Sequence, residues 1–88
     1  MSIEERWIPT TTCMWPKKYG EYLITVKDKY TESGYSVEAV TFDPNYDGKP
    51  RWYRECMNEF YEFDMEYFLP KDVTAWMPYP KAYNKGGN

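Results

Sequence analysis

Alternation of apolar and polar residues is the dominant pattern along this chain, and it predicts short strands joined by turns. Residues 21–27 read EYLITVK and residues 36–42 read SVEAVTF, with the turn-forming residues 31–34 between them. Because so short a loop joins antiparallel strands, the two segments predict a hairpin. Two further strands are predicted at 51–56 and 73–77. The pattern as a whole predicts a small antiparallel sheet.

Segment 57–68 supports two interpretations. From Tyr61 to Tyr67, aromatic or thioether side chains alternate with carboxylates at every step, which is typical of a strand with one apolar and one acidic face. The apolar residues of the segment also fit helical spacing, so a short helix is the alternative. We favour the strand, with the rings turned toward the core. Its outward acidic row would consist of Glu62, Asp64 and Glu66.

Aromatic residues supply most of the apolar surface. They make up 20% of the 88 residues, and ten of them are tyrosines. Because each ring can bury roughly 150–250 Å², we expect a core built from rings. The length fits one domain, which we place at residues 1–83, with 84–88 as a flexible tail. The predicted fold class is therefore mainly β, a single-domain antiparallel β meander, with a small α+β fold containing a helix in 57–68 as the alternative.

Charge is unevenly distributed. The formal net charge is −3, which argues against direct binding to nucleic acid or anionic membranes, since both need basic patches. Within residues 55–72, Lys71 is the only basic residue. A negative field focused on one segment is the most informative charge feature of the chain. The acidic residues of this segment are Glu55, Glu59, Glu62, Asp64, Glu66 and Asp72.

The first residues, MSIEERWIPT, contain no apolar run, so we predict neither a secretion signal nor a membrane span. Cys13 and Cys56 are too few for a disulfide scaffold, although one bridge between them is the alternative to two free thiols. A reducing cytoplasm is therefore the expected location.

Catalytic and metal-binding chemistry has little support in the sequence. The chain contains no histidine, which removes the commonest general base and the commonest metal ligand. No glycine-rich phosphate loop is present. The stretch DPNYDG opens like a calcium loop, but Arg54 stands where the closing glutamate belongs, so a hairpin turn is favoured. We predict no enzyme, no cofactor and no metal site.

Several stretches resemble a known family: RWIP near the start, WPKKYGEYLITVKD, RWY, and above all VTAWMPYPKAY at the end. They are similar to domain-of-unknown-function family 551, which occurs largely in bacteriophage and prophage genomes. The sequence departs from the family pattern at Tyr79 and Lys81, and segment 57–69 looks like additional material. The family carries no assigned activity, so the resemblance implies a phage origin and no chemistry. The matching positions are Trp7, Ile8, Pro16, Gly20, Leu23, Trp52, Val73, Trp76, Met77, Pro78 and Pro80.

Without further information, the acidic segment would be interpreted as ordinary solvated surface. A phage origin favours a functional interpretation instead. We predict a non-catalytic phage-type binding protein that inhibits a host defence protein by occupying its basic surface in the bacterial cytoplasm. The predicted partner-binding residues are Glu59, Tyr61, Glu62, Asp64, Glu66, Tyr67 and Tyr79.

Two alternatives remain. One is a small-ligand module that holds a nucleotide signal between aromatic rings, with the phosphates bound by basic residues. On that interpretation the VTAWMPYP segment is a ligand platform, whereas the favoured one makes Trp76 a structural anchor. The other alternative is a structural phage protein without a partner. The basic residues of the small-ligand alternative are Lys17, Lys18, Arg51 and Arg54.

Overall fold

Six antiparallel strands form one sheet in the computed structural model, which describes residues 7–12 and 14–80. Short 3₁₀ helices lie at Thr10–Thr12 and Pro70–Asp72, and no α-helix occurs in these ranges. The mainly-β prediction is therefore confirmed, whereas the predicted tail 84–88 lies outside the described residues. The strands are β1 (Ile8–Pro9), β2 (Gly20–Lys27), β3 (Tyr35–Tyr46), β4 (Lys49–Met57), β5 (Phe63–Phe68) and β6 (Val73–Pro78).

The strand order is β1-β6-β2-β3-β4-β5. Strands β2 to β5 form the predicted meander, but β6 departs from it and pairs with β2. In a flat sheet, β5 and β6 would lie about 19 Å apart at about 4.8 Å per strand. The connection through Pro70–Asp72 is too short for that distance, because a 3₁₀ helix rises only about 2 Å per residue. The sheet must therefore be coiled, with its core on the concave side.

Rings on that concave side form the centre of the core. Trp52 and Phe42 are each 1% exposed, and as cross-strand partners they bring their ring centroids to 4.5 Å. Trp15 packs on both, and its segment is held by a 2.7 Å hydrogen bond that Trp76 Nε1 donates to the Met14 carbonyl. An aromatic core was predicted, and Trp76 is buried in it as an anchor. The buried members are Ile24, Val26, Val40, Phe42, Trp52, Val73 and Trp76.

Two tight turns complete the meander. Asp47 and Gly48 both have positive φ, 52° and 88°, as a two-residue type I′ hairpin turn requires. The stretch that opens like a calcium loop is thus a hairpin turn, as favoured. The second turn joins β4 to β5. Its Asn58 side-chain oxygen accepts hydrogen bonds from the main-chain N–H groups of Phe60 and Glu62, at 2.9 and 3.1 Å.

The helical alternative for 57–68 is therefore wrong, because Asn58 closes a turn there and β5 begins only at Phe63. Tyr61 adopts φ 61° in the turn. The predicted strand is confirmed from Phe63 onward, whereas Tyr61 and Glu62 belong to the turn.

Candidate protein-binding surface

Strand β5 is an edge strand of the sheet that the described residues form. It pairs with β4 over its whole length, from Met57 opposite Phe63 to Trp52 opposite Phe68. No other strand within 7–12 and 14–80 pairs with it. An edge strand presents unpaired N–H and C=O groups to solvent and is a natural site for contact with another chain.

The prediction that the rings of β5 face the core is wrong. Phe68 stands opposite the buried Trp52 and packs against the core, so the alternate residues Asp64 and Glu66 share its face of the sheet. The other face carries Phe63, which is 74% exposed. The core-facing row of β5 is acidic because it extends beyond the area that the core covers.

Glu66 is not a free surface charge. The Nε of Arg54, its cross-strand partner on β4, donates a 2.6 Å hydrogen bond to Glu66 Oε1, and Arg54 Nη1 donates to Glu38 Oε1. The bond with Glu66 and the two nearby carboxylates raise the pKa of Arg54. The predicted row of three outward carboxylates therefore does not form: Glu66 is paired, and Glu62 lies in the turn.

An exposed aromatic and acidic surface nevertheless forms at this hairpin. In the turn, Phe60 and Tyr61 are 70% and 84% exposed. Among the described residues, both ion pairs involve Arg54, so the carboxylates of the turn and of Asp64 carry uncompensated charge. We call this the hairpin surface. It consists of Glu59, Phe60, Tyr61, Glu62, Phe63, Asp64 and Tyr67, all of them exposed.

Tyr67 is held in place by a cluster of tyrosines on the outer face. Its hydroxyl lies 3.0 Å from that of Tyr46, and the guanidinium of Arg51 lies over both rings at 5.3 and 5.6 Å. The hydrogen bond with Tyr67 raises the pKa of Tyr46. Tyr53 is a further member of the cluster, with its ring centroid 6.4 Å from that of Tyr67. A hydrogen bond with Tyr19, together with burial, raises the pKa of Tyr53 to about 12. These contacts restrict the ring of Tyr67 although the side chain is 44% exposed.

Tyr79 follows β6 and is separate from the turn. Its N–H donates to the Glu21 carbonyl at 3.3 Å, and its side chain is 47% exposed. It lines an open pocket of about 350 Å³ on the outer face together with Met65 of β5 and Glu55 of β4. Two of the predicted partner-binding residues lie outside the hairpin surface: Glu66 is ion-paired, and Tyr79 is connected to β5 only through this pocket. The other five lie within it: Glu59, Tyr61, Glu62, Asp64 and Tyr67.

A second pocket, of about 410 Å³, lies on the core side of β5. Its lining includes Arg54 with both of its ion-pair partners, and its carboxylates outnumber its cations, which are Lys27 and Arg54. This pocket extends the negative character of the hairpin surface to the inner side of the edge strand. Its carboxylates belong to Asp28, Glu38, Glu66 and Asp72.

Sequence reasoning missed Phe60 and Phe63, because an aromatic-rich chain was expected to bury its rings. A usable signal was present: Asn58 is a strong turn former, and it begins a segment in which every second or third residue is acidic. Rings flanked so closely by carboxylates are hard to bury.

Comparison of the chain with protein-family models, with curated proteins and with solved structures finds no match. The resemblance to a phage family therefore remains a prediction. No helix in the part of the chain that the structure describes is long and apolar enough to cross a membrane.

Proposed function

We propose that this chain is a non-catalytic protein-binding module that uses the hairpin surface to bind a protein with a basic surface. One observation carries the proposal. Exposed rings and uncompensated carboxylates occur together at an edge strand of the sheet. Rings supply contact area, and carboxylates steer the approach of Lys and Arg.

The geometry supports this role in two further ways. Tyr67 is fixed by its ring cluster, which reduces the entropy lost on binding. The acidic pocket on the core side of β5 has room for a basic side chain of a partner, beside carboxylates that Arg54 neutralises only in part. Three exposed rings, Phe60, Tyr61 and Phe63, also lie within four residues of one another in sequence, and clustered exposed apolar groups are typical of interaction sites.

Within this class, the narrower role that we propose is the one implied by the phage resemblance. The protein would occupy the basic surface of a host defence protein, for instance one that acts on nucleic acid, inside the bacterial cytoplasm. The acidic character of the hairpin surface suits a target that normally binds phosphates.

A pull-down with charge-reversal variants tests the proposal. The immobilised protein is exposed to bacterial lysate at about 50 mM and about 500 mM salt, since exposed charges are strongly screened at the higher value. We expect a protein with a basic surface to be captured at low salt and released at high salt. The double variant Glu62→Lys, Asp64→Lys should lose it while keeping the wild-type melting temperature within a few degrees.

The matched control is the double variant Glu21→Lys, Glu32→Lys. It makes the same change in net charge at exposed residues outside the hairpin surface, and it should capture the same protein as the wild type. Equal loss in both double variants would show that only net charge matters. Capture that neither double variant weakens would contradict the proposal.

A third pocket, separate from the two beside β5, gives the small-ligand alternative specific support. About 540 Å³ in volume, it has a mainly apolar lining with Lys17 and Lys18 beside it, whereas Arg51 and Arg54 are engaged elsewhere. Such a pocket suits a ligand with an aromatic body and an anionic group. Its apolar lining consists of Ile8, Met14, Trp15, Pro16, Tyr22, Trp76 and Pro78.

A thermal-shift screen with adenosine and guanosine nucleotides tests this alternative, because a ligand that binds only the folded state raises the melting temperature. The rise should disappear in the double variant Lys17→Gln, Lys18→Gln. Adenosine without phosphate should stabilise less than the nucleotide, and an equal effect would contradict a role for the lysines.

A further inference from the structure

The outward main-chain groups of β5 can be assigned from its pairing. The Asn58 N–H donates to the Glu62 carbonyl at 2.9 Å, so this pair at the end of the turn is hydrogen-bonded. Hydrogen-bonded and non-bonded pairs alternate along an antiparallel ladder. The pairs formed by Phe63, Met65 and Tyr67 are therefore the non-bonded ones. Their N–H and C=O groups point away from β4, toward the free edge.

The hydrogen bond of Met65 agrees with this assignment. Its N–H donates to the carboxylate of the preceding residue, Asp64 Oδ1, at 2.9 Å. Among the described residues no strand on that side supplies a carbonyl, and a side-chain oxygen is the acceptor instead. The centre of the free edge is thus occupied by an acidic side chain, which an incoming strand could replace with its own carbonyl group.

The charge pattern disfavours a second copy of this chain as that strand. Consider two β5 strands that pair antiparallel with their core faces on the same side. In the central register Asp64 lies opposite Glu66, and a shift by two residues brings Glu66 opposite Glu66 or Asp64 opposite Asp64. Like charges placed directly opposite each other destabilise a strand pair. Acidic residues on an edge strand are a known protection against such self-pairing.

We propose that β5 accepts an extended segment of a partner protein as an added strand, and that this segment alternates basic and apolar residues. A basic residue opposite Asp64 would lie on the core side, where the acidic pocket adjoins the edge. Apolar residues would lie on the outer side, against Phe63 and Met65. This inference rests on the proposed function, and it adds which kind of segment the partner would present to the hairpin surface.

The test uses the purified protein and a synthetic peptide of about nine residues, the length of an ordinary strand, that alternates valine and lysine. One control peptide has the same composition with its valines and lysines in separate blocks. A second control alternates valine and glutamate. We expect binding of the first peptide at least about tenfold tighter than that of either control, with an affinity that falls as salt rises.

Amide hydrogen exchange distinguishes strand addition from docking through side chains. On addition of the alternating peptide, protection of the Phe63, Met65 and Tyr67 amides should rise at least about tenfold. The amides of Asp64 and Glu66, which already face β4, should change little. Binding without new protection of the outward amides would overturn strand addition.

Two variants at Met65 distinguish the contribution of its main-chain N–H to peptide binding from that of its side chain. Met65→Pro removes the outward N–H and leaves the ladder to β4 intact, because that N–H makes no bond to β4; proline is tolerated at such positions of edge strands. Met65→Ala keeps the N–H and removes the side chain. We expect Met65→Pro to weaken peptide binding at least about tenfold and Met65→Ala about threefold or less, with circular dichroism confirming that both are folded. Equal weakening in both variants would overturn the inference.

Failure of this inference can be distinguished from failure of the proposed function. If the alternating peptide does not bind, or binds without protecting the outward amides, strand addition is refuted; the lysate pull-down decides separately whether the hairpin surface binds a protein. If the free protein sediments as a dimer with its Met65 amide already protected, the occupant is a second copy, and the inference is wrong.

Discussion

Replacing Arg54 by methionine is expected to destabilise the protein while making the hairpin surface more acidic. The guanidinium joins Glu38 and Glu66, which are far apart in sequence, and its carbon lies 5.5 Å from the centre of the Phe68 ring. Methionine keeps an unbranched apolar stem against that ring but cannot bind either carboxylate. The change therefore removes the charge and preserves most of the packing.

The expected magnitude follows from the exposure of the three side chains. Arg54 is 38% exposed, Glu38 23% and Glu66 44%, so these ion pairs are neither fully solvated nor buried. Exposed pairs contribute about 0.2–1 kcal/mol each, and repulsion between the two carboxylates, which both contact this guanidinium, adds a few tenths of a kcal/mol. We expect a total loss of about 1–2 kcal/mol. In a domain of this size, that loss lowers the melting temperature by about 4–16 °C.

Urea unfolding followed by Trp fluorescence measures this loss, and a second variant checks its cause. The double variant Arg54→Met, Glu66→Gln removes the repulsion and should recover part of the lost stability. A change below about 0.3 kcal/mol in the single variant would mean that the ion pairs contribute nothing measurable. A double variant less stable than the single one would refute the proposed repulsion.

Three further predictions concern the core, a turn and a tyrosine pair. Trp52→Ala should lower the free energy of unfolding, measured in urea, by about 3–5 kcal/mol. Trp52→Phe should lower it far less, because phenylalanine keeps a ring in the core and removes a buried N–H that has no hydrogen-bond acceptor. Gly48→Ala should lower the free energy of unfolding by about 1 kcal/mol, since residue 48 has a φ of 88°, which alanine adopts less readily than glycine. Folding favours the neutral form of Tyr53, so its contribution to stability is complete below pH 10.0 and lost as the pH rises to about 12. Tyr19→Phe should lower that pKa toward 10.0 in an NMR titration, and an unchanged value would contradict the assigned hydrogen bond.

Alternation predicted the strands well but could not show which face of β5 is buried. A period of two residues establishes only that the two faces differ. The register to β4 decides the matter by placing Phe68 opposite Trp52. A ring at the end of β5 therefore joins the core, and Phe63 is exposed. Local pattern contains no information about that register.

Pairing between distant residues explains the other differences. The ion pairs of Arg54 with Glu38 and Glu66 join three strands, so no local count of charges could show that Glu66 is ion-paired. The return of β6 to β2 depends on the coiling of the whole sheet. The position of the candidate surface was predictable, because a turn former followed by alternating rings and acids marks residues that a small core cannot bury.

Site-specific photo-cross-linking in bacterial lysate tests the central claim most directly. A photoreactive phenylalanine derivative replaces Tyr61 of the hairpin surface in one variant and Met14 in the other. Met14 is 58% exposed and lines a pocket with Trp76 of β6, which lies toward the end of the strand order opposite β5. We predict a discrete cross-linked protein from the Tyr61 position that disappears at high salt, and none from the Met14 position. A cross-link from Met14 alone would contradict the assignment of the binding surface to the β4–β5 hairpin.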